Sequence, residues 1–213
     1  VGESINKSIL LYNLTRAIQL VGDNTMTDEY YPWGGDFITC NNHGSVAVVL
    51  LNIDFTPSEK VAIYGRLKTE NIGIEKIVAN VISNPHIRYL VLCGNDIRGH
   101  RSGRSLIALH NNGIDKNHRI LHAPGAIPYI ENLDEKALKR FQDQITIIDM
   151  IDITDQDRIH NKIETYIKKS SNPFGEPFIA LCIKENKNQK IQDKRALHSK
   201  VILDYMGKVK KRE

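Results

Sequence analysis

One histidine stands where a protein of this kind could do chemistry. His100 lies in Arg88–Gly113, RYLVLCGNDIRGHRSGRSLIALHNNG, where an apolar strand runs into a glycine-flanked loop and a helix follows. In an α/β sheet, ligands bind just beyond the carboxyl ends of strands, and this loop falls there. An imidazole nitrogen at such a point suits a borderline transition metal. A carboxylate or hydroxyl on the other ring nitrogen would fix its orientation and basicity. Asp96 is the nearest carboxylate in sequence for that role. Gly94, Gly99 and Gly103, with Asn95 and Ser102 beside them, let a bulky ligand approach the backbone. Taken alone, the ordinary reading of His100 is a loop histidine.

Two further elements carry the same ambiguity. Thr69, Glu70 and Asn71 cluster where a helix is expected to begin. There, free backbone N–H groups and polar side chains either bind amide or phosphate groups or simply cap the helix. Ala123, Pro124, Gly125, Ala126, Ile127, Pro128 and Tyr129 form a rigid, small-residue loop expected beyond a strand. It either lines the flat face of a macrocycle or makes a tight connection. Of the other histidines, His110 falls on the helix after the loop and His86 in a turn after Pro85. His122 is placed to approach the same pocket, and His43, His118, His160 and His198 read as surface residues.

Common catalytic patterns are missing. There is no GxSxG elbow, HExxH helix, GxxxxGK[ST] phosphate loop or GxGxxG turn. Cys40, Cys93 and Cys182 are far apart and form no CxxC pair, so neither a disulfide framework nor a cysteine zinc site is indicated. Cys93 and Cys182 sit in apolar runs and read as buried hydrophobes, a usage that suits a reducing cytoplasm. No run approaches the roughly 20 apolar residues that span a bilayer, and no signal-peptide pattern opens the chain. A cytoplasmic location is therefore expected.

The elements that must position these residues follow from periodicity. Ile5–Val21 has helical spacing with Gly22 as a stop, and Asp23–Phe37 reads as a linker. Ser45–Leu51 is an unbroken apolar run typical of a central strand. Val61–Lys68 is a strand or a short helix. Asn71 is expected to cap a helix through Ser83 whose Ile74, Ile77, Val78, Val81 and Ile82 share a face, closed by Pro85. Tyr89–Cys93 is a strand, and Ser102 or Gly103 opens a helix stopped at Asn112-Gly113. A short strand is expected within Arg119–Ile130. Asp134 caps the next helix with Leu133 and Leu138 as a staple. Ile145–Ile151 is a strand, and Thr154 with Asp157 resembles a capping box before a helix with Ile159, Ile163, Tyr166 and Ile167 inward. Phe178–Ile183 is expected as the last strand, and Ile191–Met206 as a helix. Strands alternating with helices imply a Rossmann-like three-layer α/β sandwich around a mainly parallel sheet.

The 213 residues divide by composition into an N-terminal helix and linker (1–30), a core domain (31–183) and a C-terminal tail (184–213). The formal charge of +4 is uneven. Lys184–Glu213 holds ten Lys/Arg and four Asp/Glu, which leaves 19 basic and 21 acidic residues elsewhere. Such a tail reads as a solvated terminus, or as a weak contact with a partner's acidic surface or with nucleic acid, with no specific nucleic-acid site.

Three stretches occur together in one known family. KTENIGIEKIVANVISNPHIRYLVLCG, then GHRSGRSLIALHNNG, then GAIPYIENL with RFQDQI and IDMID closely resemble the A-type subunit of tetrahydromethanopterin S-methyltransferase, from about Tyr31 through Lys169. The resemblance implies a Rossmann-type fold and bound cobalamin, commonly the 5-hydroxybenzimidazolylcobamide form, with His100 as lower axial ligand to cobalt. It implies that Thr69–Asn71, Gly94–Asp96, Gly99, Ser102, Gly103 and Ala123–Tyr129 hold the cofactor. It also implies methyl transfer from methyl-tetrahydromethanopterin to cobalt and on to coenzyme M. The partners would be methyl-donating and methyl-accepting methyltransferase subunits of a sodium-translocating complex. Two departures stand out. The chain ends in KVKKRE where the family usually carries a membrane anchor, and Arg101 and Arg104 replace expected uncharged residues. A soluble paralogue is therefore expected, either a corrinoid methyl carrier or a non-catalytic binding or regulatory module.

Overall fold

The computed structural model describes residues 30–169 and 172–180, together with the backbone of three short strands beyond them. The helix expected over Ile5–Val21 lies outside the described residues.

The valine-rich run Ser45–Leu51 makes the centre of the sheet. β1 (Phe37–Thr39), β2 (Val46–Leu50), β3 (Ile63–Arg66), β4 (Tyr89–Gly94) and β5 (Thr146–Ile151) form one five-stranded sheet in the order β1-β3-β2-β4-β5. Only β1 runs antiparallel; β3, β2, β4 and β5 are parallel, with Val48 opposite both Tyr64 and Val91, and Val91 opposite Ile148. Every residue of β2 and β4 is buried. Strands covered on both faces read as continuous apolar runs, and here they do. Val61–Lys68 resolves as strand.

Four helices cover the sheet: α1 (Ile72–Ser83), α2 (Ser102–Asn112), α3 (Glu135–Gln144) and α4 (Gln156–Lys168). Alternate strand residues separate two cores. Ala47, Val49, Leu90 and Leu92 face Ile74 and Val78 of α1, Leu106 and Leu109 of α2, and Phe141 of α3. Val46, Val48, Val91 and Ile148 face Ile159 and Ile163 of α4, with Phe55 and Val61 from the connection between β2 and β3. Side chains this fully buried each contribute about 1.5–3 kcal/mol, so the stripe Ile74, Val78 and Ile82 alone explains why α1 forms where it does. Asp134 caps α3 through the Ala137 N–H, as expected.

Several expectations are corrected. The stretch read as linker is fixed over its last residues and leads into β1 at Phe37, because Tyr31 is buried and the Trp33 backbone exchanges hydrogen bonds with the Asn80 side chain, which holds this segment on α1. Asp155, not Thr154, caps α4, accepting from the Arg158 N–H. Arg119–Ile130 contains only isolated bridges, since Pro124 and Pro128 have no N–H to sustain a ladder. Its loop therefore lies within the connection from α2 to α3 and does not follow a strand. Phe178–Ala180 is not strand; the Phe178 N–H bonds the Ile82 carbonyl and the ring lies near the Arg140 guanidinium. Residues 181–183 lie outside the described residues.

Contacts divide the chain into Val1–Cys182 and Ile183–Glu213. In the second unit β6 (Leu197–His198), β7 (Val201–Leu203) and β8 (Val209–Lys211) pair antiparallel, so the helix expected over Ile191–Met206 is replaced by strands where the chain is described. The β-branched Val201 and Ile202 favour that outcome. Among the described residues no helix is long and apolar enough to cross a membrane.

Candidate functional site

The order β3-β2-β4 places the reversal of chain direction around the sheet between β2 and β4, whose carboxyl ends open a crevice. Asn52 and Asn95 bridge there, the Asn52 N–H donating to the Asn95 carbonyl at 3.0 Å. A cleft of ≈220 Å³ lies over this point, lined among others by Leu51, Asn52, Leu67, Ile97, His100 and Ser102. Gly94 turns at φ 94°, where a Cβ would sit 2.7 Å from Ile53 Cγ2. Gly103 lets α2 press onto Leu51, whose Cδ1 is 2.8 Å from the position of a Cβ.

His100 stands at the mouth with its side chain 68% exposed. Its Nδ1 is 3.8 Å from Glu70 Oε1, within ion-pair range but too long for a hydrogen bond. Asp96, expected to be that carboxylate, is engaged elsewhere: its oxygens accept from the Gly103 N–H at 3.2 Å and the Arg104 N–H at 3.0 Å. Asp96 caps α2 from a distance, and Glu70, remote in sequence, supplies the carboxylate beside the imidazole.

Glu70 is buried, 5% exposed. Its Oε1 accepts from the Ile127 N–H at 2.6 Å, which ties the Ala123–Tyr129 loop to the start of α1. Its Oε2 is buried without a hydrogen-bond partner, and so is Ser105 Oγ on α2. The two orphaned atoms converge on Gly125: a Cβ there would lie 2.2 Å from Glu70 Oε2, 2.6 Å from the His100 carbonyl and 2.7 Å from Ser105 Oγ. Unsatisfied buried polar groups cost about 1–3 kcal/mol each, so a fold retains them at a place where something else is selected for.

The remaining expected residues surround this centre. Thr69 Oγ1 accepts from the Gly73 N–H at 2.9 Å and caps α1, whereas Asn71, at the N-cap position, makes no side-chain cap bond. Gly99 turns at φ 93° with open space around it. Ser102 lines the cleft, and Asn95 lies exposed at its edge. Pro128 is buried, its carbonyl accepting from the Ile120 N–H, and Tyr129 packs against His118. Ala123, Pro124 and Ala126 complete the loop that Gly125 presses onto His100. Ile72, Ile97 and Ile127 are exposed apolar side chains at the start of α1, in the His100 loop and in the Gly125 loop. His122 is exposed in a turn at φ 59°, and among the described residues no hydrogen bond or ring contact joins it to His100.

Four participants escaped the sequence reading. Glu75 is buried on α1 and accepts from the Glu131 N–H, the Asn132 N–H and Asn132 Nδ2, pinning the far end of the same loop. Asp152, at φ 64° after β5, accepts from the Asp96 N–H at 3.2 Å and from Arg104 Nη2 at 2.6 Å. Those two donors hold its carboxyl below the usual carboxylate range. Ser105 and Arg98 are the others. The signal that could have found Glu75 is its place one helical turn from Ile72, Val78 and Ala79, a carboxylate on an apolar face.

The domain is thus of the open-sheet α/β class, with a mainly parallel sheet and, beyond its strand ends, an exposed imidazole, a buried carboxylate and exposed apolar side chains. Residues 24–191 match the MtrA family model, which describes the A-type subunit of tetrahydromethanopterin S-methyltransferase. The chain belongs to that family. It is 42% identical over 161 residues to the A-type subunit of the putative methyltransferase Mtx of Methanosarcina acetivorans, covering 76% of this chain and 82% of that one. It is 44% identical over 155 residues to A-type subunit 1 of the tetrahydromethanopterin S-methyltransferase of Methanothermobacter thermautotrophicus, covering 71% of this chain but 65% of that relative. A-type subunit 2 of the same organism is 43% identical over 155 residues, with 85% of its length covered.

Proposed function

We propose that the protein is a methyl carrier that binds a cobalamin-type corrinoid in a Rossmann-like domain, with His100 as the lower axial ligand to cobalt. The observation that carries this reading is the exposed His100 imidazole held over the buried Glu70 carboxylate at the mouth of the crevice. The donor set is chemically apt, since a neutral imidazole with a carboxylate behind it is a basic, oriented ligand for a borderline metal. The strand order, with helices on both faces, supports the Rossmann-like assignment. Methyltransferase names among the relatives and the family support the reaction class.

When bound, the corrinoid would supply a cobalt centre able to accept and release a methyl group. The chain's own residues do the rest. His100 presents a ring nitrogen to solvent, and Glu70 Oε1, 3.8 Å from Nδ1, lies on the other side of the ring where it would orient the imidazole. Ile72, Ile97 and Ile127 offer apolar contact to a flat macrocycle, a surface worth about 25 cal/mol per Å² removed from water. Asp96 and Asp152 stiffen the loop through the α2 cap and the Arg104 contact. Loading and unloading of methyl would fall to separate donor and acceptor subunits, in keeping with relatives that are named as subunits of methyltransferases.

The test is a visible absorption titration of the apo protein with cobalamin, run beside His100→Ala. Saturable binding with a wild-type spectrum that the variant does not reproduce supports the carrier and its axial histidine. Equal spectra remove the histidine from cobalt, and absence of binding to both folded proteins removes the carrier.

A further inference from the structure

The His100 loop holds more positive charge than its partners neutralise. We propose that Arg98, Arg101 and Arg104 form an oxyanion site beside His100 that takes a phosphate or sulfonate group. They line an open polar cleft of ≈450 Å³ together with Asn95, Asp96 and Asp152. Asp96 and Asp152 set two negative charges against the three guanidinium groups, the Arg101 charge acting on Asp152, which leaves one positive charge over. Asp96 accepts from the backbone of α2, and Asp152 from the Asp96 N–H and Arg104 Nη2. The guanidinium groups of Arg98 and Arg101 make no hydrogen bond or ion pair among the described residues, and both residues are exposed. Arg104 is fixed in place by Asp152, with donors left over.

The backbone aims this pair. Arg101 sits in the left-handed region at φ 45° and ψ 46°, its N–H bonded to the Ile97 carbonyl and its carbonyl to the Ser105 N–H, both at 2.9 Å. A non-glycine residue held so is strained, and such strain gathers at binding sites. Arg98 lies across Gly99, whose φ of 93° turns the chain so that Arg98 and Arg101 face one cleft. Planar guanidinium forks bind tetrahedral oxyanions through paired N–H donors, which lysines at the same places would not do. A cleft of this size has room for an anionic group together with part of the molecule that carries it.

Two sources share that chemistry. One is the phosphodiester in the nucleotide loop of a complete corrinoid; the other is a separate small phosphate or sulfonate ligand. Only the first rests on the corrinoid reading.

The experiment uses the full apo chain and the double variant Arg98→Gln/Arg101→Gln. Calorimetric titration with inorganic phosphate and with methanesulfonate is paired with visible titration by cobalamin and by cobinamide, which lacks the nucleotide and its phosphate. The expected result is saturable oxyanion binding to the wild type that is about tenfold or more weaker in the variant and weakens with added salt. If the corrinoid is the source, the variant loses a similar factor for cobalamin but not for cobinamide, and phosphate competes with cobalamin. If the ligand is separate, cobalamin binds both proteins equally and phosphate still binds the loaded wild type. Failure of both corrinoids to bind, with phosphate binding intact, would sink the carrier reading and leave the oxyanion site standing. The site is overturned if phosphate and methanesulfonate bind wild type and variant alike and the two corrinoids show no difference between them. Both arginines are exposed, so circular dichroism and melting of the variant are expected to match the wild type.

Discussion

Glu70 and Glu75 stand five residues apart, both buried, both reaching the connection between α2 and α3. They differ in what their oxygens find there. Glu75 is fully satisfied by the N–H groups of Glu131 and Asn132 and by the Asn132 amide. Glu70 bonds the Ile127 N–H with one oxygen and leaves the other unpartnered beside Ser105, under an exposed histidine. The first is a clasp that holds the fold. The second costs the fold something, and on the reading proposed above that cost is kept for a ligand at the solvent-facing imidazole. Two identical side chains on one stretch of chain thus differ by their satisfied and unsatisfied oxygens.

The sharpest way to break this contrast is to remove the clasp. Glu75→Ala strands three donors at the far end of the loop and should lower stability by about 3 kcal/mol or more. For a domain of this size that is roughly 6–12 °C in melting temperature, read by thermal unfolding. An unchanged melting point would erase the distinction from the structural side.

Gly125→Ala attacks the point where the two regions meet. The new Cβ would fall 2.2 Å from Glu70 Oε2 and 2.6 Å from the His100 carbonyl, so the loop must lift. The overpacking should cost about 1–3 kcal/mol in urea unfolding and should weaken any ligand held over His100.

Glu70→Gln should do the opposite of Glu75→Ala. The amide oxygen can keep the Ile127 bond while the amide nitrogen gains Ser105 Oγ as an acceptor. Stability is then expected to hold or rise by up to about 1 kcal/mol, while on the proposed corrinoid reading the spectrum on titration with cobalamin shifts with a weaker, less oriented imidazole. A melting point that collapses like that of Glu75→Ala would make Glu70 a second clasp.

Much of the fold was legible because it is local or periodic. Ser45–Leu51 reads as a central strand from its unbroken apolar run, and α1 from the spacing of Ile74, Val78 and Ile82. The Asp134 cap is a short-range motif of the same kind. The failures share a cause. β1 exists because its partner β3 and the Asn80 contacts hold it, and no local pattern announces that. Phe178 looks like a strand residue yet serves as a plug beneath Arg140. The site divided in the same way. His100 and its glycines were visible as a loop between strand and helix, but Asp96, the carboxylate nearest in sequence, proved to be a helix cap.

The sequence by itself determined which strands lie at the centre, where the His100 loop falls beyond its strand, and which family the chain joins, since hydrophobic periodicity and contiguous motifs are written along the chain. Only the tertiary structure decided that Glu70 is the carboxylate beside His100, that Glu75 is its satisfied counterpart, and that the guanidinium groups of Arg98 and Arg101 are left without a hydrogen bond or ion pair among the described residues. Those facts depend on which groups, remote in sequence, compete for the same few hydrogen bonds, and that competition is resolved only when the chain is packed.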